Sequence, residues 1–348
     1  MNPKYLELFK QVTSEHEQAQ SETAESRILV IDGLNTFIRV FSAVPALNDD
    51  GEHIGGVTGF LRSVASVVRQ LKPTRCIIVF DGKGGSAKRK KMYSGYKSNR
   101  AVKTAFNRYQ EFANLEDESA SMKRQFGRVI EYLGFLPVTT IAIDNVEADD
   151  IIAYIANEVY TDDKHKVTIV STDRDFLQLV NNRISVWSPV KKILYTPEVL
   201  QQEIGLPAHN YLMYRAITGD KSDNIPGLKG VGLKTLIKHF PILQEQREVG
   251  IDELMTYADT VQKKHNVHES LLANREQLVM NHELMQLKQV DIAGNAKLLA
   301  LNLVREPVRR TNVYEFKKMF MLDKMYTTIK DVDSWLASFS TLNAHTSI

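Results

Sequence analysis

The sequence predicts an α/β fold built on a central, mostly parallel sheet flanked by helices. Short apolar, β-rich runs recur at residues 27–31 (RILVI), 76–80 (CIIVF), 166–170 (KVTIV) and 184–187 (ISVW), with stretches of helical apolar spacing between them. Acids stand directly after three of these runs, at Asp32, at Asp81 and at Asp173 with Asp175. That is the carboxyl-end position where open α/β sheets bind ligands.

Residues 1–26 read as an amphipathic helix through Tyr5, Leu6, Leu8 and Phe9, followed by a mobile Ser/Glu/Gln-rich linker. Strand 27–31 delivers Asp32-Gly33, and Asn35, Phe37 and Arg39 follow as the chain turns into a helix. The glycine run 55–59 precedes a second helix with apolar Phe60, Leu61, Val64, Val68 and Leu71, which ends before Pro73. Strand 76–80 then delivers Asp81-Gly82. From 83 to 108 there are nine basic residues and no acid: Lys83, Lys88, Arg89, Lys90, Lys91, Lys97, Arg100, Lys103 and Arg108, with Tyr93, Tyr96 and Phe106 interleaved. A basic run is often a solvated face, but one that follows a carboxylate strand end and carries aromatics suits a polyanion. It is expected to form an arch, about residues 82–125, that leaves the sheet and stands over the crevice. Residues 112–121 read as an acidic loop, and helical spacing resumes over 122–133.

The densest stretch is 144–175, where Glu147, Asp149 and Asp150 open a helix over 151–160 and Asp173 and Asp175 follow the strand 166–170. Further on, residues 196–204 open a helix with an early proline, and 209–218 form another that ends at Gly219. Asp220 and Asp223 lie next to Gly227-Leu-Lys229-Gly230-Val-Gly232, which Lys234 and Lys238 follow. This segment reads either as a helix-hairpin-helix, whose backbone N–H groups and lysines grip phosphates without reading bases, or as an ordinary helix connection with glycine caps. Residues 242–348 are mainly helix-like, with no further acidic cluster.

Asp at strand ends and helix starts often only caps or turns. Gathered on one edge, however, Asp32, Asp81, Glu147, Asp149, Asp150, Asp173, Asp175, Asp220 and Asp223 would repel one another unless cations neutralised them. Oxygen-only donors favour Mg²⁺, Mn²⁺ or Ca²⁺ over zinc, and there are enough acids for two ions. The glycine segments fit neither a P-loop nor a dinucleotide fingerprint, which removes support for nucleotide hydrolysis. The single cysteine, Cys76, lies within an apolar strand and reads as core; it allows no internal disulfide. With no membrane-length apolar stretch and a polar, acid-rich N-terminus, the expectation is a soluble cytoplasmic protein without membrane contact. A formal charge of +2 leaves any nucleic-acid signal to the distribution of charge.

Val30-Ile-Asp32-Gly, Phe80-Asp81-Gly, Tyr96-Lys97-Ser-Asn-Arg100, Glu147-Ala-Asp149-Asp150, Ser171-Thr-Asp173-Arg-Asp175 and Gly219-Asp220 through Gly232, in this order, resemble the 5′-nuclease family of flap endonucleases and 5′-to-3′ exonucleases. The resemblance covers about residues 27–240. It implies a core over 27–205 that includes the arch, a helix-hairpin-helix and helical region over 206–300, and a C-terminal helical segment and tail over 301–348. It also implies structure-specific, Mg²⁺-dependent hydrolysis of DNA at 5′ ends and flaps, with Mn²⁺ able to substitute. Asp32, Asp81, Glu147 and Asp149 would make a first metal site with Asp150 nearby; Asp173, Asp175 and Asp220 would make a second, supported by Asp223. Lys97 and Arg100 would act on the scissile phosphate, beside Tyr96. Arg39, Lys83, Lys88, Arg89, Lys90, Lys91 and Tyr96 would contact DNA, and the hairpin of Gly227, Lys229, Gly230, Gly232, Lys234 and Lys238 would hold the duplex. Implied partners are branched or 5′-ended DNA, RNA–DNA primer junctions, and replication proteins such as single-stranded DNA-binding protein or a polymerase. Two rivals stand beside this reading: a non-catalytic DNA-binding replication factor, and a carboxylate-metal phosphatase using Asp173-Arg-Asp175.

Overall fold

The computed structural model describes residues 26–101, 105–109 and 112–346. The expected N-terminal helix, Lys103 and the side chain of Arg100 lie outside the described residues. One six-stranded sheet has the order β3-β2-β1-β4-β5-β6. Its strands are β1 (Ser26–Asp32), β2 (Arg75–Asp81), β3 (Thr139–Ile143), β4 (His165–Val170), β5 (Ile184–Ser188) and β6 (Ile193–Tyr195). All neighbours are parallel except β5 and β6. The β1 strand is apolar throughout because both faces are covered: Ile28 and Val30 pack into one core, Leu29 and Ile31 into the other.

Helices α1 (Gly33–Ala43), α2 (Gly55–Leu71) and α4 (Leu115–Leu133) cover one face. The other is covered by α5 (Ala148–Tyr154), whose continuation over Ile155–Val159 widens to π spacing. A short helix, α3 (Ala87–Met92), lies between β2 and α4. The chain leaves β1 and β3 on opposite faces, so a crevice opens between β1 and β4, where the strand order reverses. Register aligns Ile31 with Val170, which brings Asp32 level with the Ser171–Asp175 segment.

Two sequence expectations are corrected. Residues 55–59 do not precede α2 but form its first turns, and glycine at 56 lets the helix pack where a Cβ would lie 2.9 Å from both Phe37 and the Gln125 side-chain oxygen. The expected 112–121 loop already turns helical at Leu115. Asn114 caps α4 by accepting from the Glu116 and Asp117 N–H groups, both at 2.9 Å, and acids fill its first turn, where the helix dipole favours them. Strands β3 and β6 were not foreseen.

After β6 come α6 (Pro197–Ile204) and α7 (Ala208–Thr218), then a turn, then α8 (Leu233–His239). This hairpin packs with α9 (Ile251–Thr260), α10 (Asn266–Ala273) and α11 (Arg275–Met285) around Leu236, Phe240, Leu254 and Leu271, a core separate from the two at the sheet. Only glycine fits at 227, where a Cβ would fall 2.0 Å from the Thr218 carbonyl oxygen, and Gly230 turns the chain at φ +77°. Asn281 fastens the turn from α11 by donating to the Ala216 and Pro226 carbonyls. Beyond α12 (Gly294–Arg305), α13 (Val313–Leu322), α14 (Val332–Ala337) and α15 (Ser340–Asn343) return to the sheet, where Phe316, Phe320 and Phe339 join the core beneath α2 and α4. Among the described residues, no helix is long and apolar enough to cross a membrane.

Candidate active site

The crevice at the carboxyl ends of β1, β2 and β4 is a cleft of about 800 Å³, lined by Asp32, Asp81, Asp149, Asp173 and Asp223, with Lys97, Asn99, Phe106 and Arg108 from the arch. Asp32 caps α1: one carboxylate oxygen accepts from the Asn35 N–H at 3.1 Å and the other from the Ser171 hydroxyl at 2.9 Å. Asn35 in turn accepts from the Thr172 N–H and hydroxyl, tying the start of α1 to the end of β4. Asp81 caps from a distance, accepting from the Ala148 N–H at the start of α5. The capping role and a place in the cleft therefore coexist in the same residues.

Among the described residues, three acids here make no direct ion pair. Burial, followed by smaller contributions that include repulsion from Asp81, raises Asp32 to about 6. Burial and the neighbouring Asp175 raise Asp173 to about 7. Asp149 is pushed well above its ordinary range by burial and by Asp173.

The other acids are neutralised by the protein itself. Arg89 donates to Glu147 at 2.5 Å and forks onto both oxygens of Asp150, at 2.9 and 2.7 Å. Lys97 reaches Glu147 at 2.5 Å and lies 4.0 Å from Asp223. Burial works against the Glu147 charge, but Arg89 and Lys97 outweigh it and hold the carboxyl below its usual range. Arg215 bridges the Asp175 carboxylate, at 2.7 Å, and that of Asp220. Burial opposes the Asp220 charge, and Ser222 and Arg215 overcome it, keeping the carboxyl low. Asp175 remains raised, because burial exceeds what Arg215 returns.

Two of the residues expected to face DNA are turned inward. Arg89 is held in the acid cluster, its Nε donating to the Leu284 carbonyl. Tyr96 is 2% exposed, and its hydroxyl donates to Glu147 at 3.3 Å, so no base can stack on it. Lys88 pairs with Asp291, whereas Lys83, Lys90 and Lys91 are exposed. Lys229, Lys234 and Lys238 project from the hairpin into solvent, beside exposed Gly230 and Gly232. Lys97 sits at φ +53°, with its N–H on the Asp223 carbonyl at 2.8 Å. Asn224 holds the same turn, donating to the Gly95 carbonyl and the Ser98 hydroxyl, and Asn99 donates to the Lys221 carbonyl. The base of the arch is thereby fastened to the loop that carries Asp220 and Asp223.

Sequence reading missed Arg215, which lies in an apolar helical stretch without a local signal. It also did not foresee the way cations divide the acids. Among the described residues, no three acid, histidine or cysteine side chains close on one point as a formed metal centre would. The chemistry of the donors still suits a hard divalent ion: buried Asp32 and half-buried Asp149 and Asp173 offer only oxygen and destabilise one another while charged.

Two family models match the chain consecutively: the 5′-3′ exonuclease N-terminal resolvase-like domain over 27–205 and the 5′-3′ exonuclease C-terminal SAM fold over 206–307. A thermostable DNA polymerase I of Thermus thermophilus is 32% identical over 275 residues, 77% of this chain and 30% of the polymerase. The chain thus spans about a third of the length of such polymerase relatives. A 5′-3′ exonuclease of Aquifex aeolicus is 28% identical over 88% of this chain and 95% of its own. The fold is similar to that of the bacteriophage T5 D15 flap endonuclease, solved with DNA and metal ions, at a TM-score of 0.59 and 22% identity over 86% of this chain and 99% of that one. Matched by both domain models in their natural order, the chain belongs to the 5′-3′ exonuclease family of nucleases.

Proposed function

We propose that the chain hydrolyses DNA phosphodiester bonds at 5′ ends and 5′ flaps, choosing its substrate by shape, with two Mg²⁺ ions that Mn²⁺ can replace. The observation that carries this reading is the gathering of Asp32, Asp149 and Asp173, none of which makes an ion pair among the described residues, in a cleft bordered by Lys97, Phe106 and Arg108. These three acids, with Asp81 in the same cleft, would hold the ions, and Glu147, Asp150, Asp175, Asp220 and Asp223 would surround them. Bound there, the ions supply activation of water and stabilisation of charge on the leaving oxygen.

The side chains do the rest. Lys97 keeps its proton, because Asp149, Glu147 and Asp223 outweigh the burial that opposes its charge, so it can meet the scissile phosphate as a cation. Arg100 would join it. Phe106, 46% exposed, offers a face for a base of the displaced strand, a role that buried Tyr96 cannot fill. Lys83, Lys90 and Lys91 would attract that strand's phosphates, while Lys229, Lys234 and Lys238 hold the duplex backbone without reading its sequence. RNA–DNA primer junctions present the same 5′-ended geometry and are included among the substrates.

The test is a 5′-labelled flapped duplex, its single strand and a blunt duplex, each incubated with Mg²⁺ and with EDTA. Release of a short oligonucleotide from the flap with Mg²⁺ alone is expected. Binding without cutting under every divalent ion would move the chain to a DNA-binding replication factor.

A further inference from the structure

The C-terminal helix α13 is apolar on both sides. Phe316, Met319 and Phe320 enter the core beneath α2 and α4, while Tyr314, Met321 and Leu322 stand on the opposite side at helical spacing, with Tyr314 72% and Leu322 68% exposed. Lys318, paired with Glu315, stands between them. Tyr326, edge-on to Phe320 at 5.4 Å, and Leu47, whose carbonyl accepts from the Thr327 hydroxyl, are also exposed and continue the surface past the end of the helix. A contiguous apolar surface facing solvent marks a place where another segment packs.

Charge is arranged at the two ends of this stripe. Before α13, Arg305, Arg309 and Arg310 are exposed and outnumber Glu306, and no ion pair engages the three among the described residues. Beyond α13, Asp49, Asp50 and Glu52 are exposed around Lys324. The described chain starts at the basic end. The Ser26 hydroxyl lies 3.4 Å from that of Thr74, and Arg75, the next residue, donates to the Glu306 carbonyl at 2.8 Å. Ser26 is therefore one strand away from the segment that carries the three arginines.

The sequence of residues 1–25 has the complementary chemistry in the matching order. Counting back from Ser26, Glu25, Glu22, Glu17 and Glu15 come without a Lys or Arg among them; Phe9, Leu8, Leu6 and Tyr5 follow, flanked by Lys10 and Lys4. Along the surface, moving away from Ser26, the order is arginines, apolar stripe, acids. Residues 10–25 can extend about 50 Å, whereas the ten residues of α13 measure about 15 Å, so the stripe is within reach. Neither residues 1–25 nor α13 falls within 27–307, the span that the two family models match.

We propose that residues 1–25 dock on their own chain, with the glutamates at 15–25 on Arg305, Arg309 and Arg310, residues 5–9 across Tyr314, Met321 and Leu322, and Lys4 toward Asp49 and Glu52. This clasp ties the start of β1 to the C-terminal helices, and it is independent of the nuclease reading.

The test is the rate at which chymotrypsin cuts the full chain after Phe9, read by mass spectrometry. Cleavage should be slow in the parent protein. Tyr314→Glu with Leu322→Glu, both at exposed positions, should speed it about tenfold or more, because cleavage follows the open population. Arg309→Glu with Arg310→Glu should speed it less, and chiefly at low salt. Adding Glu15→Arg and Glu17→Arg to that pair should slow it again; this rescue separates docking from misfolding. On the other side of the contact, Leu6→Glu with Leu8→Glu should speed hydrogen exchange in α13. Cleavage at one rate in the parent and in every surface variant would overturn the docking. Sedimentation velocity is run alongside and should show a monomer; protection that grows with protein concentration as a dimer forms would place a second copy on α13 and overturn the clasp.

Discussion

Seven acids in and around the acidic cleft divide into two groups that differ in what neutralises them. Glu147, Asp150, Asp175 and Asp220 each receive a guanidinium or ammonium from Arg89, Lys97 or Arg215. Asp32 and Asp173 receive backbone or hydroxyl donors instead, Lys97 acts on Asp32 and Asp149 without an ion-pair contact, and the three acids repel one another. Burial penalises every carboxylate; the difference lies in whether the fold supplies a counter-charge. Where it does, the acid is a structural ion-pair partner before any metal arrives. Where it does not, a cation from outside has the most to gain.

The strongest test of this division is Asp173→Ala. If the uncompensated trio holds the ions, single-turnover cleavage of a flapped duplex should fall below detection while binding in EDTA stays within about twofold; retained Mg²⁺-dependent cutting would erase the distinction. The compensated group is tested by Arg215→Met, which strands Asp175 and Asp220. Breaking a buried pair on one side costs about 3–5 kcal/mol, so thermal unfolding in EDTA should occur well below that of the parent protein. Mg²⁺ should raise the variant's Tm more than the parent's, because the freed acids now need the ion.

A third test is the dependence of stability on pH. In EDTA, Asp32 and Asp173 carry folded-state values of about 6 and about 7 against an ordinary 3.8. Between these limits the folded chain retains protons that the unfolded chain has released, so these two groups lower stability as pH rises from about 4 to 7, by on the order of a few kcal/mol. Glu147 and Asp220, held low, act in the opposite sense, and their contribution is lost as pH falls below about 4. Asp173→Asn should flatten the decline; calorimetric Tm values for variant and parent that stay parallel from pH 4 to 7 would contradict it. The smallest effect is expected at the exposed hairpin lysines, which take part in none of these acid–cation pairs. Lys229→Gln with Lys234→Gln should lower the salt slope of duplex binding by about 2 and leave the cleavage rate at saturation unchanged. An altered rate at saturation would show that the hairpin does more than grip.

Much of this was legible in the sequence because it rests on local pattern. Continuous apolar runs reported β1, β2, β4 and β5, and the acids after them reported the crevice. Strand β3 escaped because Thr139-Thr-Ile-Ala-Ile143 is a short edge strand with a half-exposed pattern, and β6 is only three residues long. The pairing of acids with cations was not legible for a different reason. Arg89 and Lys97 stand in one basic run, yet both turn to Glu147, some fifty residues on, and Arg215 meets Asp175 across forty residues. Charge in sequence reports abundance; only the fold decides which charge faces which.

The fastening of residues 95–99 to the loop 220–224 has a consequence for measurement of length. Lys97 in its left-handed turn, Asn224 and Asn99 join the lysine that would meet the cut phosphate to the loop that leads into the hairpin. If the hairpin holds the duplex as proposed, these two points act as the jaws of a caliper whose setting belongs to the protein. The enzyme would then cut at a constant number of nucleotides from the junction whatever the length of the flap.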